Sequence, residues 1–130
     1  MKITVVNHYL NYNFDLQKIK LICSELFSDH HYEKIELTFI FDNDSKLNSL
    51  KKNFFNEDVL TDVITFPLEN NDCLEAEVYI SVDRAKFNCM ENNISLNNEI
   101  IRLIIQALLH LLGYNDSDKK SKKIMFKKKE

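Results

Sequence analysis

His110 sits in the stretch "QALLHLLGYND", residues 106–116, on a run that otherwise reads as apolar helix. Arg102, Gln106 and His110 are spaced by four, so they form one polar stripe along one helix face. Gly113 is the single glycine of the chain, and it suits the left-handed residue that ends a helix. A turn there would let the chain fold back and bring the Asp116 carboxylate beside His110. Side chains at i and i+4, joined by one after a tight turn, can converge on a single ion. The same spacing also suits a glutamine and a histidine hydrogen-bonded to backbone inside a core.

Positioning such a stripe requires a long buried helix, and the pattern supplies one. "SLNNEIIRLIIQALLHLLG" opens on Ser95, a residue type that caps helices, with Asn98 and Glu99 in the first turn. It is apolar nearly all round apart from Arg102, Gln106 and His110, as expected of a central helix. Upstream, "MKITVVN" reads as a first strand and "EKIELTFIFD" as another, with apolar residues at 35, 37, 39 and 41. Between them, Leu16, Ile19, Leu21/Ile22 and Leu26 space out a helical face. Asp42 to Ser45 supplies turn and cap residues before a short helix around "SKLNSLKKNF". "TDVITFPLE", a β-branched run ended by Pro67, and "EAEVYISVD" read as neighbouring strands joined by a polar loop. In the latter, Val78 and Ile80 face away from Tyr79. "DRAKFNCMENN" is helical, and a further basic helix is expected at about 117–129.

These elements predict one α+β domain over residues 1–130. It would be a small mixed sheet of about four strands packed with about five helices, the long central helix lying under the sheet and carrying the site. No apolar run reaches the roughly 18–20 residues that span a bilayer. The N-terminus lacks a signal-peptide pattern, so the expected location is the cytoplasm. Cys23, Cys73 and Cys89 are odd in number, widely spaced and without a CxxC pair; they read as reduced thiols. The scarcity of glycine, beside abundant asparagine and lysine, reads as a codon-composition bias.

"LLHLLGY" after "RLIIQA", together with "TDVITFPLE" and "EVYISVDRAK", resembles the YbeY family of bacterial ribosomal-RNA maturation factors. The family's motif is H-G-x-L-H-L-x-G-Y-D-H, whose three histidines hold a metal, usually taken as zinc. The resemblance runs from about the third strand to the basic end. Carried over position by position, the middle histidine is His110, and the glycine and tyrosine are Gly113 and Tyr114. Gln106 and Ala107 replace the first histidine and glycine, and Asn115 and Asp116 replace the final Asp–His. An ionised Asp116 is a competent zinc ligand. The neutral amide of Gln106 is a poor one. Family members often carry an arginine ahead of the T-D-V segment, and the matching residue here is Phe55. The family's G-D before the following strand reads Ala76–Glu77.

The resemblance implies a single-strand-specific endoribonuclease acting on precursor small-subunit ribosomal RNA in 3′-end processing, ribosome assembly or quality control. Zn²⁺ would be held by His110 and Asp116, with Gln106 a weak or lost third ligand, and His110 would be catalytic. The partners implied are the small ribosomal subunit and its assembly factors, with neither membrane nor DNA. The alternative is a catalytically weakened or inactive ribosome-assembly factor with an eroded metal site. Residues 119–130 carry seven lysines and one glutamate, or +6, within a chain of net charge −3, leaving −9 on the rest. Lys119, Lys120, Lys122 and Lys123 are therefore candidate RNA contacts, although a lysine run is also what a solvated helix end looks like. A zinc protease is disfavoured because the H-E-x-x-H glutamate is missing, and a P-loop because its glycines are.

Overall fold

A computed structural model describes residues 1–28, 34–69 and 73–113. Its strands are β1 (Lys2–Asn7), β2 (Lys34–Asp42), β3 (Val63–Glu69) and β4 (Cys73–Ser81). Its helices are α1 (Leu16–Phe27), α2 (Asp44–Phe55), α3 (Val82–Glu91) and α4 (Leu96–Leu111). The sheet order is β1-β2-β4-β3. β1, β2 and β4 run parallel, and β3 is antiparallel to β4. The expected α+β architecture with a four-stranded mixed sheet is therefore present, with four helices among the described residues. The basic helix expected at 117–129 lies outside them.

Two faces of the sheet are covered by different helices. Strand alternation sends Leu37, Phe39, Phe41, Val78 and Ile80 to one side, where they pack with residues of α1, α3 and α4. Tyr79 and Phe66 point the other way and pack around Leu47 and Leu50 of α2 and Ile64 of β3. The expectation that Val78 and Ile80 face away from Tyr79 thus holds.

Two local expectations need correction. Leu21 does not belong to the buried face of α1, being 66% exposed. That face is Ile19, Cys23, Leu26 and Phe27, with Ile22 at its margin. Pro67 does not end its strand, which continues to Glu69 with Pro67 opposite Ala76. β3 is an edge strand, where a residue without an N–H can leave the ladder intact.

α4 is the buried spine. Ser95 caps it by accepting from the Asn98 N–H at 3.1 Å. Ile100, Leu103, Ile104, Leu108 and Leu109 are fully out of water. Glu99, equally buried, is held bidentate by Arg102, with Nε at 2.8 Å and Nη2 at 2.9 Å from its two oxygens. Asn88 of α3 donates both to Glu99 at 3.2 Å and to Asp62 at 3.1 Å. The Asp62 carbonyl in turn accepts from the Ser81 N–H at 2.9 Å. This network ties the start of α4 to α3, to the end of β4 and to the residue ahead of β3.

Removing Arg102 would take the charge partner from a buried carboxylate and leave it Asn88 as its side-chain donor. Arg102→Met is expected to cost about 3 kcal/mol of stability. Replacing both partners with apolar residues, Glu99→Leu with Arg102→Met, is expected to cost less than the single change. Urea denaturation of the three chains checks this, and equal costs would refute it.

Burial pushes the Asp62 carboxyl above its ordinary value of 3.8, against the lowering effects of Arg102 and Asn88. A raised carboxyl favours the folded state fully at pH below the ordinary value. That contribution is lost as pH rises through the folded value. Asp62→Asn, which keeps an acceptor for Asn88, should therefore gain stability relative to the native chain as pH rises across that range. A pH-independent difference in denaturation midpoints would contradict this.

Candidate functional site

The last two turns of α4 emerge from the core beside the free edge of β3. The backbone there is fixed by its ending: Leu112 N–H donates to the Leu108 carbonyl at 3.1 Å, and Gly113 N–H donates to His110 at 3.0 Å. Gly113 has φ +98°, a left-handed conformation that costs other residues a Cβ clash. This is the helix-ending role that the lone glycine suggested.

Along α4 the polar stripe divides in two. Arg102 is committed to Glu99, while Gln106 and His110 line a cleft of about 300 Å³. His110 is exposed and Gln106 half-buried, so His110 is not a core histidine. The opposite wall comes from α2, with Lys51 and Phe55, and the floor from Val63, Ile64 and Thr65 of β3. Ala107, 2% exposed, lies between the two polar residues of α4. The cleft thus straddles the edge strand, with α4 on one side and α2 on the other.

α2 is placed by its buried Leu47 and Leu50 and by the loop that follows it. Asn43 caps the helix start. At the other end Asn56, with φ +56°, returns its N–H to the Lys51 carbonyl, which also accepts from the Glu57 N–H at 3.1 Å. Asn48 Nδ2 donates to the Val59 carbonyl at 2.9 Å and to Asp58 at 3.0 Å. With Leu47 and Leu50 facing the sheet, Lys51 and Phe55 fall on the flank of the helix, one turn apart, at the cleft. Lys51 Nζ lies 4.6 Å from the centroid of the Phe55 ring. Phe55 in turn packs 5.8 Å from Phe66, which meets Tyr79 edge-on at 5.7 Å.

The donor set of the cleft falls short of the metal that the resemblance implies. Among the described residues, no three His, Cys, Asp or Glu come together as a metal-binding group. The cleft contributes one imidazole, His110, and one neutral amide, Gln106. A zinc site ordinarily takes three or four protein donors, so the described residues alone do not complete one. Tyr114, Asn115, Asp116, Lys119, Lys120, Lys122 and Lys123 lie outside them. The three cysteines are free and take no part in the cleft. Burial pushes the Cys23 thiol up to about 12, which keeps it protonated.

Sequence reasoning found both α4 residues and flagged Phe55, but missed Lys51 and the β3 segment Val63–Thr65. A signal was available: Lys51 and Phe55 are four apart on an expected helix that leads into the T-D-V strand. Also missed was the Glu99–Arg102 pair, spaced by three on α4, although the spacing is that of neighbours on a helix.

Comparison with known proteins matches residues 5–130 to the family model described as Endoribonuclease YbeY. The chain is 38% identical over 95 residues to the Endoribonuclease YbeY of Karelsulcia muelleri, covering 73% of this chain and 67% of that one. It is 33% identical over 123 residues to the Endoribonuclease YbeY of Acholeplasma laidlawii, covering 93% and 88%. The solution structure of TM1509 from Thermotoga maritima superposes with a TM-score of 0.69 at 26% identity, covering 98% of this chain and 83% of that one. No helix among the described residues is long and apolar enough to cross a membrane. With a family model matching nearly from end to end and relatives identical at a third or more of the aligned residues, this chain belongs to the endoribonuclease YbeY family.

Proposed function

We propose that this protein is a ribosomal-RNA maturation endoribonuclease whose reaction takes place in the cleft beside His110. The single observation that carries the site is that Gln106 and His110, the two motif ligand positions within the described residues, open onto one cleft. The substrate is single-stranded precursor small-subunit RNA near its 3′ end, met on the small ribosomal subunit in the company of assembly factors, in the cytoplasm. Full membership of an endoribonuclease family supports activity over the non-catalytic alternative.

His110 and Asp116 would hold one zinc ion, with Gln106 as a weak third ligand. Held there, zinc would supply Lewis acidity for RNA hydrolysis. The chain's own residues do the rest. His110 presents its imidazole at the solvent-facing end of the cleft. Gln106 can orient a neighbouring group through its amide. Val63, Ile64 and Phe55 give the cleft an apolar wall, which strengthens charge interactions along it. Lys119, Lys120, Lys122 and Lys123 of the single domain's basic end attract the RNA backbone without reading sequence.

The native chain should cut single-stranded RNA in the presence of divalent metal, and His110→Ala should lower the rate by about a hundredfold or more. Gln106→His should raise the zinc retained after dialysis to near one ion per chain, above the native level, by elemental analysis. Failure of the native chain to cut RNA with any divalent metal would favour the binding-factor reading. Equal zinc in both chains would remove Gln106 from the ligand set.

A further inference from the structure

An RNA strand lying in this cleft calls for a cation at its phosphates. Lys51 is that candidate. Among the described residues lining the cleft it is the one lysine or arginine, and it faces the Gln106–His110 wall across β3. Its backbone is pinned by the closing turn of α2 at Asn56 and Glu57, so its side chain starts from a fixed point. The side chain is 21% exposed and lines the cleft.

Its two contacts, with Glu57 and Phe55, leave the ammonium exchangeable. Glu57 Oε2 is 3.9 Å away, beyond hydrogen-bond distance, on a side chain 55% exposed. A pair like that is worth little and is screened by salt. The Phe55 ring under Nζ at 4.6 Å attracts the cation through its face without consuming an N–H. A phosphate oxygen can therefore replace Glu57 while the ring keeps the ammonium in place.

Resting on the reading of this cleft as the RNA site, we infer that Lys51 supplies the phosphate contact there, with Phe55 as the positioning residue that holds its ammonium over the ring. Lys51 lies one helical turn before Phe55 on α2, and the Phe55 ring steadies its ammonium.

The test is binding of a short labelled single-stranded RNA, followed by fluorescence anisotropy in EDTA over a series of salt concentrations, with metal-dependent cleavage measured separately. Lys51→Ala should weaken binding roughly tenfold and reduce the slope of log affinity against log salt by about 0.7, one phosphate contact to a single strand. Lys51→Arg should recover most of the affinity. Phe55→Leu should weaken binding by less than Lys51→Ala while leaving the slope nearly native. Phe55→Arg, placed in the Lys51→Ala chain, should restore the slope by returning a cation to the same helix flank. Lys20→Ala, on α1, controls for loss of charge elsewhere, and thermal unfolding checks that each chain is folded.

Native binding with unchanged affinity and slope in Lys51→Ala would overturn the assignment of Lys51 and leave the nuclease reading standing. A Lys51-dependent slope without cleavage in any divalent metal would support Lys51 as an RNA contact and sink the nuclease reading. Absence of RNA binding by the native chain would overturn both.

Discussion

Burial of α4 sets the geometry of the cleft that Gln106 and His110 line. Ile100, Leu103, Ile104, Leu108 and Leu109 are out of water on a single helix, and each is held among side chains from the sheet, α1 and α3. Close packing of this kind allows a helix little freedom to rotate or slide. The rotation that buries Leu103 and Leu108 is the one that turns Gln106 and His110 to the edge of β3. The bidentate Glu99–Arg102 pair adds a polar lock at the other end of the helix. The pair lies within α4 and orients the Glu99 carboxylate, so the constraint on the helix comes through what else that carboxylate accepts. Asn88 extends that constraint to α3 and to Asp62, just ahead of β3.

The cleft exists because an edge strand lies between two helices on opposite faces of the sheet. A central strand would have been walled in by neighbours on both sides. β3 pairs with β4 alone, so its outer side is open, and residues from α2 and α4 can reach around it. Pro67 fits this position, because an edge strand tolerates the missing donor. The arrangement joins an imidazole and an amide on one side to an ammonium on the other.

Much of the fold was legible along the chain because local periodicity reports burial directly. Alternation over 35–41 and over Val78–Ile80 marked strands with one face in the main core. The apolar run behind Ser95 marked the central helix. Errors arose where the pattern admitted neighbouring answers. Leu21 and Ile22 both suit a helical stripe, and only packing decided that Leu21 stays in solvent. A proline can end a strand or sit on a sheet edge, and strand order alone decides between them.

The candidate site divides along the same line. Sequence by itself determined the family resemblance, the stripe of Arg102, Gln106 and His110, and the glycine that ends the helix, since all of these lie within one local element of fixed period. Tertiary structure decided that the stripe splits, with Arg102 drawn to Glu99 and the other two left to the cleft. It also decided that Lys51 is their neighbour. Lys51 and His110 are 59 positions apart in sequence, and nothing in the period of either helix links them. Their meeting depends on which face of the sheet each helix covers and on β3 being the edge, which are properties of strand order and packing.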